Sequence, residues 1–168
     1  IDLVETLLAG KAVESITDKN KSSALLTASL FGRPGLLRLV LAAKARLEAV
    51  AQSKFTALML AANQGESECL RLLLEAKADM NAIGQDGAIA STIAAAGGYT
   101  QCLQMLLAAK ADISAVDANG CTASILAAFH GHPECLRLLL NAKADVNATD
   151  KHKQTASIVA AGFGHAEC

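Results

Sequence analysis

Cys69, Cys102, Cys135 and Cys168 follow one another at intervals of 33 residues, and so do Ala28, Ala61, Ala94, Ala127 and Ala160. Gly32, Gly65, Gly98, Gly131 and Gly164 keep the same interval. A register held over five copies without insertion or deletion constrains the chain to a stacked repeat array, because such units cannot bury an apolar face alone. Each copy shields its neighbours, so the core is spread along the stack instead of gathered in one globule. The composition agrees. Hydrophobic residues make up 52% of the 168 while aromatics make up 3% and tryptophan is missing, which suits close helix contacts without large wedges.

Aligned on this period, residues 1–168 read as a single array. Full units run 18–50, 51–83, 84–116 and 117–149, with a part-repeat at 1–17 and another at 150–168. The fourth unit opens on Asp117-Ala118-Asn119-Gly120, where Asn-Gly provides the backbone freedom that a tight turn needs. A short helix is expected over about 122–130, ended by Gly131. Pro133 then opens a second helix, at a position where a missing N–H costs nothing. Cys135, Leu136, Leu138, Leu139 and Leu140 give that helix a broad apolar face. The apolar opening at Ile1, Leu3 and Val4 and the stop at Cys168 lead us to expect further repeats on both sides.

The order of turn, helix, Gly-His, helix and "ADVNA" loop resembles the ankyrin repeat, whose period is about 33 and whose signature is T-P-L-H-x-A. Thr56, Thr122 and Thr155 stand at the signature's threonine, with Ser23 a close substitute. Gly131-His132 and Gly164-His165 match its Gly-His pair, and residues 78–82 and 144–148 match its loop. The resemblance implies an all-α ankyrin-repeat solenoid of helix–turn–helix units joined by hairpin-like turns. The chain also departs from the signature. Its proline is Ala24, Ala57, Ala90, Ala123 and Ala156, and its histidine is Leu26, Met59, Thr92, Ile125 and Ile158. The glycine expected before "AD" is Lys11, Lys44, Lys77, Lys110 and Lys143. If that position is left-handed, each lysine costs about 1 kcal/mol against glycine.

Other classes of function find little support. A net charge of −1 with no long single-sign run lacks the footprint of a nucleic-acid binder. Residues 87–109 carry no charge and are long enough to raise a membrane span. Gly97-Gly98-Tyr99-Thr100-Gln101 at the centre, and charged copies on both sides, argue against insertion. No phosphate loop or nucleophile elbow is present, so no enzyme, small-molecule substrate or cofactor is expected. His130, His132 and Cys135 look like a sparse metal cluster, yet the repeat accounts for His132 and Cys135 and no C-x-x-C accompanies them. The cysteine ladder is expected to be buried, with thiols on successive units too far apart to bridge. Cys121, on a turn, is expected to be the exposed thiol. Five cysteines without a signal peptide point to an intracellular location, cytoplasmic or alternatively nuclear.

The resemblance implies protein recognition through a concave face lined by turn tips and the outer ends of first helices. All four phenylalanines fall in those variable columns. We expect a protein partner, of no nameable identity, to meet Phe31, Phe55, Gln64, Asp86, Asn119, Phe129, His130, Lys151, His152 and Phe163. Phe129 with Phe163, and Phe31 with Phe55, are expected to form two apolar anchors. The alternative is a targeting or regulatory segment of a larger multidomain enzyme or channel.

Overall fold

The computed structural model describes residues 18–51 and 54–168. The part-repeat 1–17, with Lys11, lies outside the described residues. Among the described residues nine α-helices form four pairs and a single last helix: α1 Asp18–Leu30 and α2 Pro34–Ala42, α3 Ala57–Gln64 and α4 Ser67–Glu75, α5 Ala90–Ala96 and α6 Thr100–Ala108, α7 Ala123–Phe129 and α8 Pro133–Asn141, then α9 Ala156–Phe163. They fall into two compact units, Ile1–Asp79 and Met80–Cys168.

The repeated residues explain why each helix starts and stops where it does. Thr56, Thr122 and Thr155 are N-caps whose hydroxyls accept from the backbone N–H of Met59, Ile125 and Ile158, satisfying a donor the helix leaves open. The third repeat has Ile89 in that column and recovers the bond from inside the helix. Thr92 accepts from Ile89 N at 3.0 Å and donates to its carbonyl at 2.9 Å. First helices end in a paired-bond closure, as where Gly131 N donates to the Ala128 carbonyl and His132 N to that of Ala127. This is the Schellman arrangement, which needs a left-handed residue, and Gly131 has φ of 70°. Second helices close in the same way. Lys77 N donates to the Leu74 carbonyl and Ala78 N to that of Leu73. Lys44, Lys77, Lys110 and Lys143 all have φ between 58° and 68°, so the lysines do occupy the left-handed position.

In the first unit α1 and α3 pack side by side with α2 and α4 against them. Leu25, Ala28, Leu37, Leu70 and Leu73 are fully buried there. In the second unit α5, α7 and α9 form the row of first helices, backed by α6 and α8. Ala94, Ala127, Leu103, Leu106 and Leu139 fill that interior, each leucine contributing about 1.5–3 kcal/mol by leaving water. Alanine at the contact lets neighbouring helix axes close to about 8 Å, the tight end of the usual range. The uncharged stretch 87–109 folds into α5 and α6, broken at Gly97-Gly98-Tyr99. A span needs about 20 residues, and no helix of the described residues is long and apolar enough to cross a membrane.

Cys69, Cys102 and Cys135 are buried. Cys69 Sγ lies 3.8 Å from the Ala28 carbonyl of the preceding repeat, and Cys135 Sγ lies 3.7 Å from the Thr100 hydroxyl. The expectation for Cys121 needs correcting, since that residue is half-buried. Burial first, and then the neighbouring Asp117 and Asp150, push its thiol up to about 11. The turn is exposed, but its side chain folds in beside the carboxylate that closes it. With a thiolate population about a hundredfold below that of an ordinary cysteine, Cys121 should alkylate slowly at neutral pH. Quantitative iodoacetamide labelling read by mass spectrometry should find it no faster than a few times Cys69. Labelling at the rate of an unfolded control would show that its thiol is open to solvent.

Candidate functional site

The face formed by turn tips and first-helix ends is built from backbone hydrogen bonds before any side chain is added. Each tip is a small hairpin: Asp117 N donates to the Cys121 carbonyl at 3.0 Å and Asp150 N to that of Gln154 at 3.1 Å. In both, the aspartate carboxylate accepts two further N–H groups, from Asn119 and Cys121 at Asp117, and from His152 and Gln154 at Asp150. Successive tips of the second unit are joined by their main chains. Ala118 N donates to the Asp86 carbonyl at 2.6 Å, and Lys151 N to the Asn119 carbonyl at 3.0 Å. Asp86 itself has φ of 59°. Asp86, Asn119, Lys151 and His152 are therefore held at one end of the row with their side chains exposed.

At the other end of the first helices lie the aromatic residues. Phe129 is the last residue of α7 and Phe163 the last of α9, with ring centroids 4.5 Å apart. They remain 43% and 58% exposed. Their contact follows from the register. Phe163 stands one column after Phe129, and Phe129's own column in the last repeat holds Gly162, around which nothing lies within 4 Å of an added Cβ. His130 meets Phe129 edge-on with centroids 4.9 Å apart, and His132 stacks beyond it at 6.2 Å. His165 stacks on Phe163 at 6.5 Å.

His132 and His165 are fixed by the backbone. His132 Nε2 lies 3.1 Å from the Ala96 carbonyl, and His165 Nε2 lies 3.2 Å from that of Phe129. Each imidazole thus reaches back to the end of the preceding first helix, over Gly98 and Gly131 respectively. Burial against its neighbours, and then the charges of His132 and His165, hold His130 below the ordinary histidine value. Protonation is thereby easier in the unfolded chain than in the fold. The stability this involves is whole above about pH 6.5 and is lost as pH falls below that value.

In the first unit the same columns hold Phe31, 63% exposed just after α1, and Gln64, the exposed last residue of α3. Phe55 is half-buried, immediately before the N-cap Thr56, and its carbonyl accepts from Ala51 N. The expected Phe31–Phe55 anchor is not formed. Among the described residues no ring contact joins them, because they lie at opposite ends of first helices about 12 Å long.

A family model described as ankyrin repeats (3 copies) matches residues 1–83 and 90–168. The chain belongs to the ankyrin-repeat family. Its fold is the all-α ankyrin solenoid, and ankyrin repeats are in general protein-interaction modules rather than catalysts. No curated protein matches the chain significantly. Among the described residues of this ankyrin array, no group of three His, Cys, Asp or Glu side chains is placed to hold a metal ion. Cys135 faces the interior while His130 is exposed, so those two do not converge.

Two features of the face were not anticipated from sequence. His165 and His132 flank the aromatic pair, although the Gly-His dipeptides that place them were plain in the repeat. Val50, Ile83 and Val116, one residue per repeat in a single column, are also exposed. Their period of 33 was legible, but loop valines and isoleucines read as ordinary turn flanks. On the opposite side, Arg38 and Arg71 both donate to Glu68, Arg71 also pairs with Glu75, and Arg137 pairs with Glu134. These pairs are open to water, and solvent screening leaves them little net effect on stability.

Proposed function

We propose that this ankyrin array, taken as one domain over residues 1–168, binds a protein partner through the turn-tip and first-helix face. The observation that carries this reading is the exposed Phe129–Phe163 pair. Two large rings touch each other in water at the end of a row of short, uncharged helices, where the interior has no use for them. Exposed aromatics held by a rigid support make strong binding anchors, because little side-chain freedom is lost on contact. Asp86, Asn119, His130, Lys151 and His152 supply the polar surroundings in the second unit, and Phe31, Phe55 and Gln64 are the corresponding positions in the first. The interaction does not require a nucleic acid, a small-molecule substrate or a cofactor.

Phe129→Ala is expected to weaken capture of the native partner by about 1–3 kcal/mol. Arg137→Ala, on the exposed side of α8 and paired with Glu134, should leave it within a few tenths. The comparison is a titration of partner against both variants after equal helicity has been verified by circular dichroism. A larger loss from Arg137→Ala would place the interface on the second helices.

A further inference from the structure

The chemistry around the aromatic pair narrows the kind of partner it fits. Three imidazoles surround the two rings, and the helices beneath them carry no charge at all: ASTIAAA in α5, ASILAAF in α7 and ASIVAAGF in α9. The second helix α6, TQCLQMLLA, is uncharged as well. The carboxylates nearest in sequence are engaged elsewhere. Glu134 pairs with Arg137, and Glu134 and Glu167 both line a cleft of about 380 Å³ with Leu136 and Leu140 on the α8 side. Asp117 and Asp150 sit in the tips with their oxygens accepting backbone N–H groups. The charges that act on His130 are those of His132, from the same turn, and His165, from the turn after α9. The cluster is therefore a group of potential cations that meet one another and the rings, while Lys151 and Lys153 sit in the tip at the far end of the first helices.

We propose that the Phe129–Phe163 pair with His130, His132 and His165 docks a protein segment that sets an apolar side chain on the rings and a carboxylate beside His130, and that this docking tightens as pH falls from about 7.5 to 5.5. The inference rests on the functional reading above and adds the partner's chemistry and its pH dependence. The physical reason is linkage. In the free protein His130 resists protonation, because it is partly shielded from water and faces two other imidazoles. A bound carboxylate reverses that balance, so binding takes up a proton and is favoured where protons are abundant. Glutamate and aspartate stay ionised over this range, since their ordinary values lie near 4. His132 and His165 already contact carbonyl oxygens, which leaves His130, touching its neighbours through ring contacts, best placed to meet the partner.

The test is selection of a displayed library of random peptides, each of about a dozen residues, on the whole chain at about pH 5.5. Enriched sequences should place Asp or Glu close to an aromatic or leucine. Synthetic, end-blocked copies should bind about tenfold more tightly at pH 5.5 than at 7.5, the effect of shifting one histidine by about one unit. His130→Gln, or Gln in place of the peptide's carboxylate, should remove most of that gain. NMR of the His130 ring should show its titration moving to higher pH when peptide saturates the protein. Failure to enrich any such sequence, equal affinity at the two pH values, or a gain that survives His130→Gln would each overturn the proposal. Peptides that need Phe129 but bind independently of pH would leave the docking face standing and remove only this inference. Peptides that bind Phe129→Ala as well as the parent would remove the docking face itself.

Discussion

Gly131→Ala should destabilise the array by about 2–3 kcal/mol, a large effect for one methyl group. Two separate terms contribute. Gly131 has φ of 70°, where a side chain costs about 1–2 kcal/mol. Its new Cβ would also lie 2.6 Å from His165 Nδ1 and 2.7 Å from Cε1, closer than real contacts allow. The imidazole would have to leave the Phe129 carbonyl, losing about 1 kcal/mol more. Urea denaturation of Gly131→Ala, His165→Ala and the double variant separates the terms, since the steric part vanishes once the ring is gone. Gly162→Ala is the internal control with the opposite sign. That residue lies within α9 with nothing near its added Cβ, so alanine should stabilise by about 0.5–1 kcal/mol. Equal losses at Gly131 and Gly162 would mean that neither strain nor contact governs the cost at Gly131.

Replacing Lys44, Lys77, Lys110 and Lys143 together by glycine should stabilise the array by up to about 3 kcal/mol. Each lysine stands in the left-handed position of a helix closure, where glycine is favoured by about 1 kcal/mol. An opposing term comes from charge. A lysine just past a helix C-terminus interacts favourably with the last carbonyls, by about 0.3–1 kcal/mol when exposed. Lys110→Gln isolates that term, because it keeps the strained backbone and removes the cation. The expected result is a loss for Lys110→Gln and a gain for Lys110→Gly, both read from the urea midpoint at unchanged slope. A loss for both would show that the charge outweighs the backbone.

The helix pairs, the glycine closures, the buried cysteines and the left-handed lysines were all legible in the sequence, because each is a column and repetition multiplies a weak local signal. Thr56, Thr122 and Thr155 reveal their capping role through their spacing from the next helix. What could not be read were features created by one repeat acting on another. The contact of Phe129 with Phe163 joins two neighbouring columns across adjacent repeats, which a reading of one column at a time does not pair. The raised thiol of Cys121 comes from burial first and then from Asp117 and Asp150 of two successive tips. Thr92 replacing the missing cap of α5 from within the helix is another case, since the usual cap position holds Ile89. The expected Phe31–Phe55 pair does not form because contact follows column position, and the two stand in columns at opposite ends of first helices. The partner-binding face is legible as a set of variable columns, but the histidines around its rings are conspicuous only once the rings are seen together.

The room beneath the residue that follows each Gly has a consequence for how such a gene can change. Gly32 lies under Glu66, Gly98 under His132 and Gly131 under His165, so an acid and an imidazole are accepted by the same hollow. Because the hollow belongs to one copy and its occupant to the next, in-frame recombination between copies that carry glutamate or histidine after the Gly restores a fitting junction. Tyr99 of the third repeat instead lies against its own Gly97. Copies can then be duplicated, deleted or shuffled in whole steps, and the residue in the hollow can drift between chemistries without a matching change below it. Loss of a single glycine would end that freedom at one joint, and the damage would travel with that copy wherever it was moved.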